Sequence, residues 1–135
     1  MGDKKGDILI VDDQENWREV LTDVLTKEGY TVKAVAAFED AISEISENKF
    51  DLLISDVRFE DKFASDIQGI ELLNVVKSEK NSLKVMMLTG YPESIPDGVL
   101  ERYKADALIL KAPKGSRFDT KGFKEKVREL LVRNE

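Results

Sequence analysis

At 135 residues, 41% of them hydrophobic and 36% charged, the chain is long enough to bury one core and too short for two, with the composition of a folded globular domain. Lacking both cysteine and histidine, it has no disulfide, no thiolate or imidazole nucleophile and no His- or Cys-ligated metal, so its chemistry rests on Asp, Glu, Lys, Ser, Thr or Tyr. A net charge of −6 argues against nucleic-acid binding through clustered phosphate contacts; no stretch approaches a membrane span, and the polar opening from Met1 to Gly6 lacks the apolar core of a signal peptide, so the expected compartment is cytoplasmic.

The first apolar run, Ile8-Leu9-Ile10-Val11, reads as a buried strand that exits on Asp12-Asp13. Trp17, Val20, Leu21, Val24 and Leu25 then form one apolar stripe at helical spacing, with Gly29 as its stop, and the preceding aspartates suit the positive end of a helix. Thr31–Val35 alternates as an edge strand, and Phe38, Ala41, Ile42 and Ile45 set a second helix that ends near Asn48. The third strand is predicted over Asp51–Ser55 and stops on Asp56; a long polar connection to Gln68 follows, then a third helix on Ile70, Leu73 and Val76. Leu83–Leu88 is the fourth strand, leading into Thr89-Gly90 and a weak fourth helix around Val99, Leu100 and Tyr103. Ala107–Leu110 is the fifth strand and exits at Lys111, and Phe123, Val127, Leu130 and Leu131 give the stripe of a last helix.

A β-α unit repeated in this way predicts a parallel sheet with helices on both faces. The exits of strands one, three, four and five then share one edge, where ligands of open α/β sheets bind, and they carry Asp12-Asp13, Asp56, Thr89 and Lys111. Carboxylates gathered there repel unless a cation enters, and oxygen-only ligands select a hard ion such as Mg²⁺. With Lys111 and Thr89 to hold phosphoryl oxygens, Asp56 is the candidate nucleophile for an aspartyl phosphate, and Asp12 and Asp13 are better placed to share the metal.

These pieces, Ile8-Leu9-Ile10-Val11-Asp12-Asp13, Asp51-Leu52-Leu53-Ile54-Ser55-Asp56, Gly69-Ile70-Glu71-Leu72-Leu73, Leu88-Thr89-Gly90 and Leu110-Lys111, resemble the receiver domains of two-component response regulators along essentially the whole chain. The resemblance implies a flavodoxin-like, doubly wound five-stranded parallel sheet, (βα)5, as a single domain over 7–135 behind a flexible segment 1–6. It implies a phosphoryl acceptor, not an enzyme in its own right. Asp56 would be phosphorylated by a histidine kinase or a histidine phosphotransfer protein, and a downstream protein target would read the result. Asp13, Asp56 and the backbone carbonyl of Arg58 would ligate Mg²⁺ directly, with Asp12 acting through water and Thr89 and Lys111 contacting the phosphoryl group.

The chain also departs from the family pattern. The connection over 57–68 is long and contains Phe59, Phe63 and Ile67, which leaves two readings open, a docking or lid element and a solvated insertion. Leu108 stands where the family usually carries a switch aromatic, and Ala112 separates Lys111 from Pro113. Tyr91 and Arg58 occupy positions that control water access in the family, and Tyr91 is expected to slow hydrolysis of the acyl phosphate. Two other readings compete: a phosphate-independent pseudo-receiver acting as an interaction module, and a small Mg²⁺-dependent phosphohydrolase using Asp56. The second lacks a D-x-D acid after Asp56 and a substrate-binding cap domain.

Overall fold

The structure, a computed structural model, describes residues 6–56, 83–90, 98, 105–111 and 117–132. The expected third and fourth helices, the 57–68 connection, Arg58, Tyr91 and the Ala112-Pro113 pair lie outside the described residues. Within them the chain forms β1 (Asp7–Val11), α1 (Glu15–Lys27), β2 (Thr31–Val35), α2 (Phe38–Glu47), β3 (Leu52–Asp56), β4 (Lys84–Thr89), β5 (Ala107–Leu110) and a last helix, here α3 (Thr120–Leu131).

The five strands make one parallel sheet in the order β2-β1-β3-β4-β5. Its central strands are unbroken apolar runs because both faces are covered. On one face Ile8, Ile10, Leu52, Ile54, Met86 and Leu88 pack against Leu21 and Leu25 of α1 and Phe123 and Val127 of α3. On the other, Leu9, Val11, Leu53, Val85 and Met87 pack against Ala41 and Ile45 of α2. This is the doubly wound, flavodoxin-like architecture, and β2, an edge strand, is the one that keeps its alternating exposure.

Local chemistry sets the element ends. Gly29, at φ 100°, closes α1: its N–H donates to the Thr26 carbonyl at 3.0 Å, and the Tyr30 N–H donates to the Leu25 carbonyl at 3.2 Å. That pair of bonds is the left-handed closure a glycine permits. Asp119 caps α3 by accepting from the Gly122 N–H at 2.9 Å. Val20 of α1 and Ile42 of α2, both placed in apolar stripes by their spacing, are exposed at 44% and 36% because they sit at the outer margin of arcs centred on Leu21-Leu25 and Ala41-Ile45.

Two strands begin and end one residue later than their apolar runs predict. Asp51 is not in β3; its N–H donates to the Asp7 carbonyl at 2.8 Å and its Oδ2 accepts from the Asp7 N–H at 2.9 Å, tying the starts of β1 and β3 together. At the far end Asp56 still pairs with Leu88 and Thr89 with Leu110, so both polar residues belong to the sheet. The consequence is functional: residues expected just past the strand ends are held in the pairing of the sheet.

Candidate functional site

The strand order reverses between β1 and β3, and this is where a crevice forms at the carboxyl edge. Val11 pairs with Ser55, so the next residues along, Asp12 and Asp56, emerge side by side; Asp56 pairs with Leu88, just before Thr89, and Thr89 pairs with Leu110, just before Lys111. Register alone therefore lines up the expected residues along neighbouring strand ends.

Three carboxylates, those of Asp12, Asp13 and Asp56, each present an oxygen within 4.8 Å of the others. Asp13 is exposed, while Asp12 and Asp56 are buried. Lys111, itself buried, brings its Nζ to 2.9 Å from Asp12 Oδ2 and 3.2 Å from Asp56 Oδ1. One ammonium does not neutralise three carboxylates. Burial, reinforced by the neighbouring Asp12 charge, pushes the Asp56 carboxyl up from 3.8 to about 6 despite the opposing pull of Lys111. Asp12 Oδ2 is buried and, beyond that ion pair, receives no bond of hydrogen-bonding geometry. A buried, electron-rich oxygen of this kind beside two further carboxylates suits a hard divalent cation, and the residues present fit Mg²⁺.

Thr89 is fully buried in β4, and its carbonyl accepts from the Lys111 N–H at 2.8 Å, which locks the strand end that carries Lys111 to the strand end that carries Thr89. Leu108 is half-buried and packs on the α2 face of the sheet, so an aliphatic side chain fills the position of the expected aromatic.

Several residues touch the site that the sequence did not place there. Arg18 donates from Nη1 to the Asp12 carbonyl at 2.7 Å, fixing the backbone at the exit of β1. Asp12 Oδ1 accepts from the Gln14 N–H at 2.9 Å. Gln14 Oε1 accepts from Lys111 Nζ at 3.2 Å, and the Trp17 ring centroid lies 5.2 Å from the same nitrogen. No signal in the sequence marked these contacts: the sequence placed the aspartates at the start of α1, and Gln14 is recognisable as its N-cap only once the fold is known.

The model of the response regulator receiver domain matches residues 8–118. Among curated relatives, the transcriptional regulatory protein ZraR of Salmonella typhimurium is 31% identical over 104 residues, which is 77% of this chain and 22% of ZraR. The chain spans between 20% and 28% of the length of the first curated relatives it matches. Among solved structures, the response regulator TrrA of Thermotoga maritima in complex with Mg²⁺-BeF is 30% identical with a TM-score of 0.74, covering 92% of this chain and 97% of TrrA. TrrA in complex with the histidine kinase ThkA matches at 30% identity and a TM-score of 0.72, over 93% of this chain and 98% of that one. Sheet order, the lysine-bridged carboxylates at the switch point and these matches agree, and the chain belongs to the response regulator receiver domain family.

Proposed function

We propose that this receiver domain takes up a phosphoryl group on Asp56, that Mg²⁺ is required, and that the donor is the phosphohistidine of a histidine kinase or of a histidine phosphotransfer protein. The observation that carries the assignment is the buried Asp56 carboxylate bridged by Lys111 to Asp12, with Asp13 alongside. An Asp56 oxygen attacks phosphorus, the P–N bond to the donor imidazole breaks, its electron pair leaves on nitrogen, and an acyl phosphate remains. Asp13, Asp56 and the Arg58 carbonyl would hold the ion directly and Asp12 through water; bound there, Mg²⁺ neutralises charge on the carboxylates and on the phosphoryl oxygens. Lys111 and the Thr89 hydroxyl supply further contacts to those oxygens.

TrrA, solved both with Mg²⁺-BeF and with a histidine kinase, supports this choice of metal and donor. A downstream protein target then reads the phosphorylated state. Among the described residues no helix is long and apolar enough to cross a membrane. A constitutive interaction module would need none of these residues assembled, and the arrangement does not favour it.

Incubation with acetyl phosphate and Mg²⁺ is expected to add one phosphoryl mass to the intact protein, and replacing Mg²⁺ by EDTA to abolish the gain. No added mass in Mg²⁺ would overturn the proposal in favour of a pseudo-receiver, and sustained phosphate release from an aryl phosphate would favour a phosphohydrolase.

A further inference from the structure

Lys111 is held from two sides of different chemistry. Asp12 and Asp56 face it as anions at 2.9 and 3.2 Å, whereas Gln14 and Trp17, both from the start of α1, face it as neutral groups at 3.2 and 5.2 Å. An ammonium has three protons, and the oxygens of Asp12, Asp56 and Gln14 supply three acceptors. An ammonium only donates, so the amide of Gln14 must present its oxygen.

The side chain of Gln14 makes no cap bond to α1. It stands at the N-cap, where a short polar side chain would ordinarily satisfy the first N–H groups, and it reaches across to a residue 97 positions away. Trp17 is held in turn: Phe118 meets its ring edge-on at a centroid distance of 5.2 Å and an interplanar angle of 84°, and Phe118 leans on Phe123 of α3 at 5.4 Å. The indole is therefore wedged between the lysine and the core, at a distance where a cation and a ring face attract.

The two anionic partners are also the two buried carboxylates of the candidate metal centre. A divalent cation and the Lys111 ammonium compete for them, so when the carboxylates turn to a cation the lysine loses its anionic contacts. A buried ammonium without partners is costly. The neutral contacts carry no charge for a divalent cation to draw away, and Gln14 Oε1 accepts from the ammonium instead.

We propose that Gln14 and Trp17 are positioning residues that form a neutral seat for Lys111, keeping its ammonium in the site while Asp12 and Asp56 face Mg²⁺. The inference rests on the proposed function and deepens it. Losing the seat costs little while the carboxylates still hold the lysine and more once they do not, so the seat is coupled to metal affinity.

Mg²⁺ alone is the probe, with its Kd taken from melting temperature against Mg²⁺ concentration in the whole protein. Gln14→Ala and Trp17→Leu are each expected to weaken Mg²⁺ binding by about three- to tenfold. Trp17→Phe, which keeps a ring face, is expected to stay within about twofold of wild type. In a Lys111→Met background the effect of Gln14→Ala is expected to vanish, which a general loosening of α1 would not produce. The only tryptophan in the chain is Trp17. Its emission in wild type is therefore expected to shift on Mg²⁺ binding, and to shift less in Lys111→Met. Equal Mg²⁺ affinities across the variants, or a Gln14→Ala effect undiminished without Lys111, would overturn the seat. If wild type takes up phosphate while that happens, the seat alone falls; if wild type takes up none, the functional reading falls with it.

Discussion

In EDTA at about pH 7.5, Asp56→Asn is expected to stabilise the domain by about 3 kcal/mol, raising Tm by roughly 10 °C. The reason is the position of Asp56, where burial and the Asp12 charge move its carboxyl from 3.8 to about 6. A carboxyl whose folded pKa lies above its unfolded value binds its proton more tightly in the folded state, so protonation stabilises the fold. That contribution is complete below the unfolded value of 3.8 and is lost as pH rises through about 6. Asparagine stays neutral at every pH. The advantage of the variant should accordingly be full above about pH 7, shrink through about pH 6 and disappear near pH 4. Mg²⁺ should erase it as well, because a ligand at about 100 times its Kd stabilises wild type by about 2.7 kcal/mol. Urea melts across pH, with and without Mg²⁺, check each part. A gain independent of pH would locate the effect in packing instead of charge.

Lys111→Met is expected to do the reverse. Removing the ammonium leaves the fully buried Asp12 carboxylate and Asp56 facing each other with their shared cation gone. Breaking a buried pair by deleting one partner commonly costs about 3–5 kcal/mol. Asp56 escapes part of this by taking up a proton, so about 2–3 kcal/mol is expected in EDTA at about pH 7.5. The cost should fall as pH drops toward 5, since Asp56 then carries its proton already, and the Asp56→Asn/Lys111→Met double variant should recover most of it. Mg²⁺ should bind the single variant roughly tenfold more tightly, because the ammonium no longer competes for Asp12 and Asp56. Melting temperature against Mg²⁺ concentration reads this directly; weaker binding would mean that Lys111 does not oppose the cation.

Much of this framework was legible in the sequence because burial on both faces leaves a strand almost no choice of residue. Ile8–Val11, Leu52–Ile54 and Val85–Leu88 are apolar at every position, and Thr31–Val35 alternates because it lies at an edge. Strand exits then locate Asp12, Asp13, Asp56, Thr89 and Lys111 without any knowledge of distance. The true ends of β3 and β4 were not legible, since pairing continues onto polar Asp56 and Thr89, and hydrophobicity does not record pairing. Val20 fits the α1 stripe by spacing and still faces outward, because periodicity fixes the direction of an arc better than its width. The seat of Lys111 was the least legible part. Trp17 looks like the first residue of an ordinary apolar stripe, and Gln14 meets its partner 97 residues away through a tertiary contact that no local pattern announces.

Asp56 itself is expected to carry the phosphoryl group. Borohydride reduction after exposure to acetyl phosphate and Mg²⁺ converts an aspartyl phosphate to homoserine at the modified position, and peptide mass spectrometry locates that position. Homoserine at residue 56 in wild type, with no modification in Asp56→Asn, is the predicted result. Homoserine at residue 12 or 13, or undiminished phosphoryl uptake by Asp56→Asn, would contradict it.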